Sequence, residues 1–201
     1  NPQGLHYQGA VFLRLFIENV LGIEGIDSAD YARAKVTAEH YIGELGRVDI
    51  VVRLQRQLIV IENKINAPDE KNQLARYAQW MEGQPQSILH LYYLTKYGGE
   101  ASEYSHRGKA EYTPISYETE IAAWLDFAIK EVVTVPIVFG AILQYQVLVK
   151  KITGRMGNKK KMDLINLLQS NDDHMASAMD IITLMQDPVT RSELQKKFWL
   201  Q

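Results

Sequence analysis

The chain has no cysteine among its 201 residues. This absence excludes disulfides and thiolate metal sites, and it fits a reducing compartment, so we expect a cytoplasmic protein. The chain also lacks an uninterrupted run of about 18 apolar residues, the length that a transmembrane helix needs. Its longest apolar run, residues 132–143, is broken by Thr134, Pro136 and Gly140. We therefore expect no membrane partner.

An excess of positive charge is missing as well. The chain carries 22 Lys and Arg residues against 24 Asp and Glu residues, which gives a formal net charge of −2. A protein that only coats nucleic acid by electrostatic attraction normally has a basic excess, so that class of function is disfavoured. An enzyme whose basic groups are local remains compatible with this balance.

Several common catalytic motifs are also absent. The chain has no Gly-x4-Gly-Lys phosphate loop, no Gly-x-Gly-x2-Gly dinucleotide motif and no His-Glu-x2-His zinc helix. These motifs bind phosphates through glycine backbone amides or hold zinc between two histidines of one helix face. Their absence argues against a P-loop NTPase, a dinucleotide-dependent enzyme and a zinc protease of that type.

What the chain does contain is a central hairpin pattern. The apolar runs Val48–Leu54 and Leu58–Ile61 are typical of two strands. Gln55 and Arg56 lie between the runs and are short enough to form a two-residue turn. The pattern therefore predicts two antiparallel neighbours in one sheet.

Two acids and a lysine stand out within or directly after these strands. Asp49 lies in the first strand, and Glu62 and Lys64 follow the second. If Leu54 pairs with Gln57 across the turn, counting back along both strands sets Asp49 opposite Glu62. Opposed Cβ atoms lie about 5 Å apart, and two like charges at that distance need a positive group between them. The hairpin therefore predicts a carboxylate site for a hard divalent cation.

The periodicity of apolar residues predicts the order helix, three strands, helix, two strands, then helices only. The predicted helices cover residues 11–21, 70–82, 117–131 and 135–152, and the predicted strands cover 35–42, 48–54, 58–61, 87–95 and 112–116. The simplest packing is an α/β fold with a mixed central sheet flanked by helices. We expect one domain at residues 1–155 and an all-helical extension at residues 156–201.

The ordered set of polar motifs resembles the PD-(D/E)XK nuclease superfamily, which has the restriction-endonuclease-like fold. Val48-Asp49 followed by Glu62-Asn63-Lys64 corresponds to the defining motif, with Val48 at the usual proline position. Gln73-Leu-Ala-Arg-Tyr77 is similar to the Gln-x3-Tyr helix motif of the RecB-like branch. With His6-Tyr-Gln-Gly9 upstream, the pattern resembles a poorly characterised bacterial subfamily over roughly residues 1–155.

The resemblance implies an α-β-β-β-α-β core and metal-dependent hydrolysis of phosphodiester bonds, with DNA a better candidate substrate than RNA. It implies that Asp49, Glu62 and the backbone carbonyl of Asn63 hold Mg²⁺ or Mn²⁺. Lys64 would orient the attacking water or stabilise charge on the phosphate. Gln73 would hold the same water network, and Tyr77 would belong to the nucleic-acid-binding surface.

Further acids could complete the metal site. Glu39 lies one strand earlier, and a slip of one residue in register would present His40 in its place. Glu18 on the first helix is another candidate ligand, and an exposed helix charge is the alternative explanation for it. His6 is a candidate ligand or phosphate contact.

Basic residues cluster in a stretch without acids near the end of the predicted domain. They are candidate nucleic-acid contacts, although a solvated helix end would show the same pattern: Lys150, Lys151, Arg155, Lys159, Lys160 and Lys161. The polar stretch Lys96–Glu111 is a candidate loop over the substrate. The helical extension is a candidate contact for a homodimer or a protein partner.

Two functions of different kinds follow from these patterns. The first is a Mg²⁺-dependent nuclease in a defence, restriction or repair setting. The second is a catalytically inactive nuclease-fold module that serves as a nucleic-acid-binding or assembly subunit. Because Asp49, Glu62 and Lys64 are all present, the pattern favours the enzyme.

Overall fold

The computed structural model describes residues 1–108 and 110–155, and the predicted helical extension, with Lys159, Lys160 and Lys161, lies outside these residues. The helices and strands follow the predicted order. The helices are α1 (Val11–Asn19), α2 (Ser28–Arg33), α3 (Gln73–Glu82), α4 (Glu103–His106), α5 (Ala122–Glu131) and α6 (Pro136–Ile152). The strands are β1 (Lys35–Tyr41), β2 (Arg47–Arg53), β3 (Gln57–Lys64), β4 (Ile88–Thr95) and β5 (Thr113–Ser116).

The five strands form one sheet in the order β1-β2-β3-β4-β5. β1, β2 and β3 pair antiparallel, whereas β3, β4 and β5 pair parallel. The parallel pairs need crossover connections, and α3 provides the one between β3 and β4. The prediction of a mixed sheet flanked by helices in a restriction-endonuclease-like α/β fold is confirmed.

The sheet is covered on both faces, which explains why β3 is apolar at almost every position. One face packs Val51 and Val60 against Leu74 and other residues of α3. The opposite face packs Ile59 and its neighbours against α1 and α5. A fully buried aliphatic side chain contributes about 1.5–3 kcal/mol relative to exposure. The end of β3 is therefore held rigidly between two cores.

The structure differs from the sequence-based expectation at several element boundaries and in the added helix α4. α3 begins at Gln73 because Asn72 has φ 57°, a left-handed conformation that cannot continue a helix. β3 extends to Lys64 because it pairs with β4 up to Thr95. The short helix α4 lies inside the stretch predicted as a loop.

No helix of the described residues is long and apolar enough to cross a membrane.

Candidate active site

The site lies where β2 and β3 separate. Backbone pairing between these strands runs from Arg53 and Leu58 to Ile50 and Ile61. The amide of Leu54 donates to the carbonyl of Gln57 at 2.9 Å, so the turn and the register are as predicted. One step beyond the last pair come Asp49 and Glu62, where β3 continues beside β4 alone.

The side chain of Asp49 continues the contact between β2 and β3 where their backbone pairing ends. Its Oδ2 accepts the amide hydrogen of Asn63 at 2.7 Å. Val48 and Val51 pack in the same core although regular alternation would place them on opposite faces. β2 therefore rotates between these two valines, and Asp49 occupies the rotated segment. The rotation sets the half-buried carboxylate beside the end of β3.

Glu62 is the most deeply buried acid of the site, with 2 % of its surface exposed. Burial raises the pKa of Glu62 to about 7, and the negative charge of Asp49 adds to the rise. Lys64, two residues along the same strand face, opposes it with Nζ 2.9 Å from Oε1 of Glu62. The result is a buried ion pair beside a second carboxylate, which has a net negative charge when both acids are ionised.

Two residues of helix α3 pack against Glu62 of the ion pair. Gln73 and Tyr77 are four residues apart, so they lie on the same helix face, and both are buried. Nε2 of Gln73 donates to the hydroxyl of Tyr77 at 3.0 Å. That hydroxyl lies 3.1 Å from Oε2 of Glu62 and 2.6 Å from the carbonyl oxygen of Arg47. It has one hydrogen and can donate to only one of these oxygens at a time.

Asp69 and Tyr93 extend the site, and the sequence did not single them out for it. Tyr93 is the β4 partner of Glu62 in the parallel register. Its hydroxyl donates to Oδ1 of Asp69 at 2.7 Å, while Oδ2 accepts the amide hydrogen of Ser102 at 2.7 Å. The charge of Lys64 also acts on Asp69. Only the acidic start of the predicted helix 70–82 hinted at a role for this region.

The side chain of Asn63 lies on the opposite face of β3 from Glu62 and Lys64. Its Oδ1 accepts a hydrogen bond from the hydroxyl of Tyr117 at 3.1 Å. Burial raises the pKa of Tyr117 to about 12, and neighbouring Tyr145 adds to the rise. Because the side chain is held on the opposite face, the backbone of Asn63 is the part that faces Asp49.

The donor set fits a hard divalent cation. Oδ1 of Asp49 has no hydrogen-bond partner among the described residues, and Glu62 provides a second carboxylate beside it. Oε1 of Gln73 is buried and is also without a partner in that part of the chain. An orphaned acceptor of this kind is usually explained by water, which Mg²⁺ keeps in its coordination shell. Within residues 1–108 and 110–155, no group of three or more acidic, histidine or cysteine side chains could hold a metal ion.

The structure places the additional acids in other contacts. Glu39 lies between the pairs Ala38 with Ile50 and His40 with Val48, but it has φ 54° and is not itself paired with Asp49. The Glu39 carboxylate lies 2.6 Å from Nε of Arg47, and both side chains are exposed.

Glu18 and His6 lie in the α1 region of the fold. Glu18 forms an exposed ion pair with Arg14, 3.3 Å apart, and its charge acts on Tyr31. His6 stacks edge-on against Phe12 and lies 2.9 Å from the carbonyl oxygen of Asn1. Neither contact involves Asp49 or Glu62.

The predicted nucleic-acid contacts divide into exposed and buried residues. Lys150 and Lys151 are exposed in the last turn of α6, where a helix C-terminus favours positive charge. Arg155 donates to the Glu118 carboxylate at 2.9 Å. Tyr77 is 1 % exposed. Its hydroxyl contacts Glu62, so the predicted nucleic-acid contact of Tyr77 would require its side chain to become exposed.

Comparison with known proteins gives one match. A family model described as the PD-(D/E)XK nuclease superfamily matches residues 1–146, which is most of the chain. Neither a curated protein nor a solved structure matches. The matched segment contains every residue of the site around Glu62.

Proposed function

We propose that this chain, which belongs to the PD-(D/E)XK nuclease superfamily, is a metal-dependent nuclease that hydrolyses phosphodiester bonds of DNA. The observation that supports this most directly is the pair of carboxylates at the separation of β2 and β3. Asp49 and buried Glu62 lie beside each other there, with Lys64 2.9 Å from Glu62. This arrangement provides negative charge for a cation and a positive group for a phosphate.

Asp49, Glu62 and the backbone carbonyl of Asn63 would hold Mg²⁺ or Mn²⁺. Such a cation lowers the pKa of water and neutralises charge on a reacting phosphate. Two features of the protein favour binding of such a cation. Burial makes the ionised form of Glu62 costly without a positive partner, and the amide of Asn63 fixes one oxygen of Asp49 at 2.7 Å.

Lys64 and Gln73 would act on the substrate side. Lys64 is 9 % exposed, and its ammonium group is held 2.9 Å from Glu62. A positive group held there stabilises the extra negative charge that a phosphate gains in the transition state. The orphaned Oε1 of Gln73 would accept a hydrogen bond from water, and its Nε2 is fixed by Tyr77.

The test is cleavage of DNA by the purified full chain. Single-stranded, double-stranded and nicked DNA, and a matched RNA, are incubated with Mg²⁺, with Mn²⁺ and with EDTA. We expect metal-dependent cleavage of DNA and none in EDTA. Glu62→Gln and Lys64→Met should each reduce the rate at least about a hundredfold, because each removes a charge from the buried pair.

Glu131→Gln is the matched control, since Glu131 is an exposed residue at the end of α5. It should cleave like the original protein. If no nucleic acid is cleaved although Mn²⁺ binds in calorimetry, the nuclease proposal fails. A protein that neither cleaves nor takes up metal would instead be the inactive binding or assembly module.

The biological setting is part of the proposal. A metal-dependent DNA nuclease of this superfamily suits defence, restriction or repair in a bacterial cytoplasm. Cell fractionation with tagged protein checks the location, and loss of phage resistance or of damage tolerance in a deletion strain checks the setting. Recovery only in the membrane fraction would contradict the cytoplasmic location.

A further inference from the structure

A second polar feature of the fold lies beside the site, in a groove between α3 and α4. The groove encloses a cavity of about 340 Å³, and its walls include Asn72, Arg76 and Gln79 of the α3 side and Arg107 of the α4 side. We refer to it as the α3–α4 groove. Its two arginines line a common space.

The two arginines still have capacity to bind. Within residues 1–108 and 110–155, the Arg107 guanidinium makes no hydrogen bond and no ion pair. Arg76 uses Nη2 to contact Oε2 of Glu70 at 3.2 Å, but its Nε is buried and has no partner in the same residues. A buried unpaired donor costs about 1–3 kcal/mol unless something absent satisfies it. The donor set therefore points to an acceptor that enters the groove.

The walls of the groove are fixed relative to each other. The amide of Asn72 donates to the carbonyl oxygen of Tyr104 at 2.9 Å, which ties the start of α3 to α4. Asp69 accepts the amide hydrogen of Ser102 at 2.7 Å, just before α4 begins. Arg107 follows the helix with φ 54°, a conformation that is costly for a residue other than glycine. A groove held in this way is preorganised for a ligand.

The positions of the nearby acids determine which end of the groove is basic. Glu70 neutralises part of the charge of Arg76. Glu82 lines the groove too, but it is six residues beyond Arg76 on α3, which corresponds to about 9 Å along the helix. The end of the groove near Asn72 is therefore the basic end, and an anion would bind there.

The groove is connected to the candidate active site through α3 and β2. Arg76 directly precedes Tyr77, whose hydroxyl lies 3.1 Å from Glu62. A Cβ placed on Gly46, three residues before Asp49, would lie 4.0 Å from Nη2 of Arg76. Arg76 therefore lies close to the start of β2, the strand that carries Asp49.

We propose that the basic end of the α3–α4 groove binds a backbone phosphodiester of the nucleic acid whose cleavage is proposed above. Arg76 and Arg107 donate to its oxygens, because planar guanidinium groups match phosphate geometry. The inference rests on the proposed function for its substrate class, but it concerns binding away from the carboxylates. A phosphate held there fixes the position of the strand relative to Asp49 and Glu62.

The test measures binding and cleavage separately. Fluorescence anisotropy with a labelled oligonucleotide in EDTA gives the affinity at several salt concentrations. Arg107→Gln should weaken binding about tenfold, and the slope of log affinity against log salt should fall by about one. In the cleavage assay it should raise KM while kcat at saturating DNA stays the same.

Arg56→Gln is the matched control because Arg56 is exposed in the β2–β3 turn, at the opposite end of β3 from Glu62. It should bind and cleave like the original protein. Equal weakening by both variants, or no change with Arg107→Gln in protein that still cleaves DNA, overturns the inference. Arg107-dependent binding by protein that cleaves nothing would support the groove and refute the nuclease proposal.

Discussion

The hydroxyl of Tyr77 lies 3.1 Å from Oε2 of Glu62, and it is the contact through which α3 supports the site. The same hydroxyl also accepts from Nε2 of Gln73 and lies 2.6 Å from the carbonyl oxygen of Arg47. Burial raises the pKa of Tyr77 above its usual range, so it stays a neutral donor. One phenol thereby joins β2, β3 and α3.

We expect Tyr77→Phe to lower the free energy of unfolding by about 1–3 kcal/mol, because it leaves buried Gln73 Nε2 without its partner. The ring and its packing are kept, so the loss reports the hydroxyl. Urea unfolding followed by circular dichroism measures it. Tyr97→Phe is the control, since Tyr97 is 63 % exposed and should unfold unchanged. Equal stability of the Tyr77 variant would mean that the hydroxyl contacts contribute nothing.

The buried pair of Glu62 and Lys64 should show strong coupling. Lys64→Met leaves Glu62 buried beside Asp49 without a positive partner, and removing one member of a buried pair costs about 3–5 kcal/mol. The double variant Glu62→Gln with Lys64→Met removes the stranded charge. We expect it to be more stable than Lys64→Met alone, although neither cleaves DNA. Additive losses in urea unfolding at pH 7 would contradict this coupling.

The hairpin was predictable because its information is local. A two-residue turn fixes the register, and the register fixes which residues are opposed, so the relation of Asp49 to Glu62 followed from counting. The burial of Glu62 did not follow, because it depends on α3 packing under β3. The rotation of β2 between Val48 and Val51 was also hidden, since strict alternation was assumed.

The sequence does not reveal the residues whose roles depend on contacts between distant parts of the chain. Asp69 lies in an exposed-looking turn, and only the fold brings Tyr93 and Ser102 to it. Arg76 and Arg107 are 31 positions apart in the chain, and no spacing rule relates a helix of the core to a short helix in a loop. The Gln-x3-Tyr motif carries no information about depth, so it does not indicate that Tyr77 is buried.

Whether a third acid binds the metal beside Asp49 and Glu62 can be tested at Glu39. It lies in β1 near Asp49 but outside the regular pairing, and its carboxylate is engaged by exposed Arg47. Removing an exposed charge near a binding site changes binding by about 1 kcal/mol at most, or roughly fivefold. We therefore expect Glu39→Gln to weaken Mn²⁺ binding by no more than about fivefold in calorimetry.

Asp49→Asn is the comparison for that measurement, and it should abolish measurable Mn²⁺ binding. A loss of more than about a hundredfold with Glu39→Gln would exceed the effect of residues that only orient ligands. That result would establish Glu39 as a direct ligand of the metal. It would also mean that Glu39 gives up its ion pair with Arg47 when the metal binds. Glu18→Gln should leave Mn²⁺ affinity unchanged, since Glu18 pairs with Arg14 on α1.

The pH dependence of stability should reveal Asp69. Burial alone would raise the pKa of Asp69, but the hydrogen bonds from Ser102 and Tyr93 and the charge of Lys64 bring it below its ordinary value of 3.8. A carboxyl group whose pKa is lowered by folding stabilises the folded state above its unfolded pKa. That contribution is lost as the pH falls through the folded pKa.

Asp69→Asn should therefore lower the free energy of unfolding by about 1–2 kcal/mol at pH 7, because an amide can accept only through its single oxygen. The difference from the original protein should begin to shrink as the pH falls below 3.8 and should be lost below the lowered pKa of folded Asp69, where the protonated group also has one carbonyl acceptor. Urea unfolding between pH 3 and pH 7 measures it, with Glu131→Gln as the control. A difference that is independent of pH would show that the ionised carboxylate of Asp69 does not hold Ser102. In that case the α4 wall of the groove would be fixed mainly by the bond between Asn72 and Tyr104.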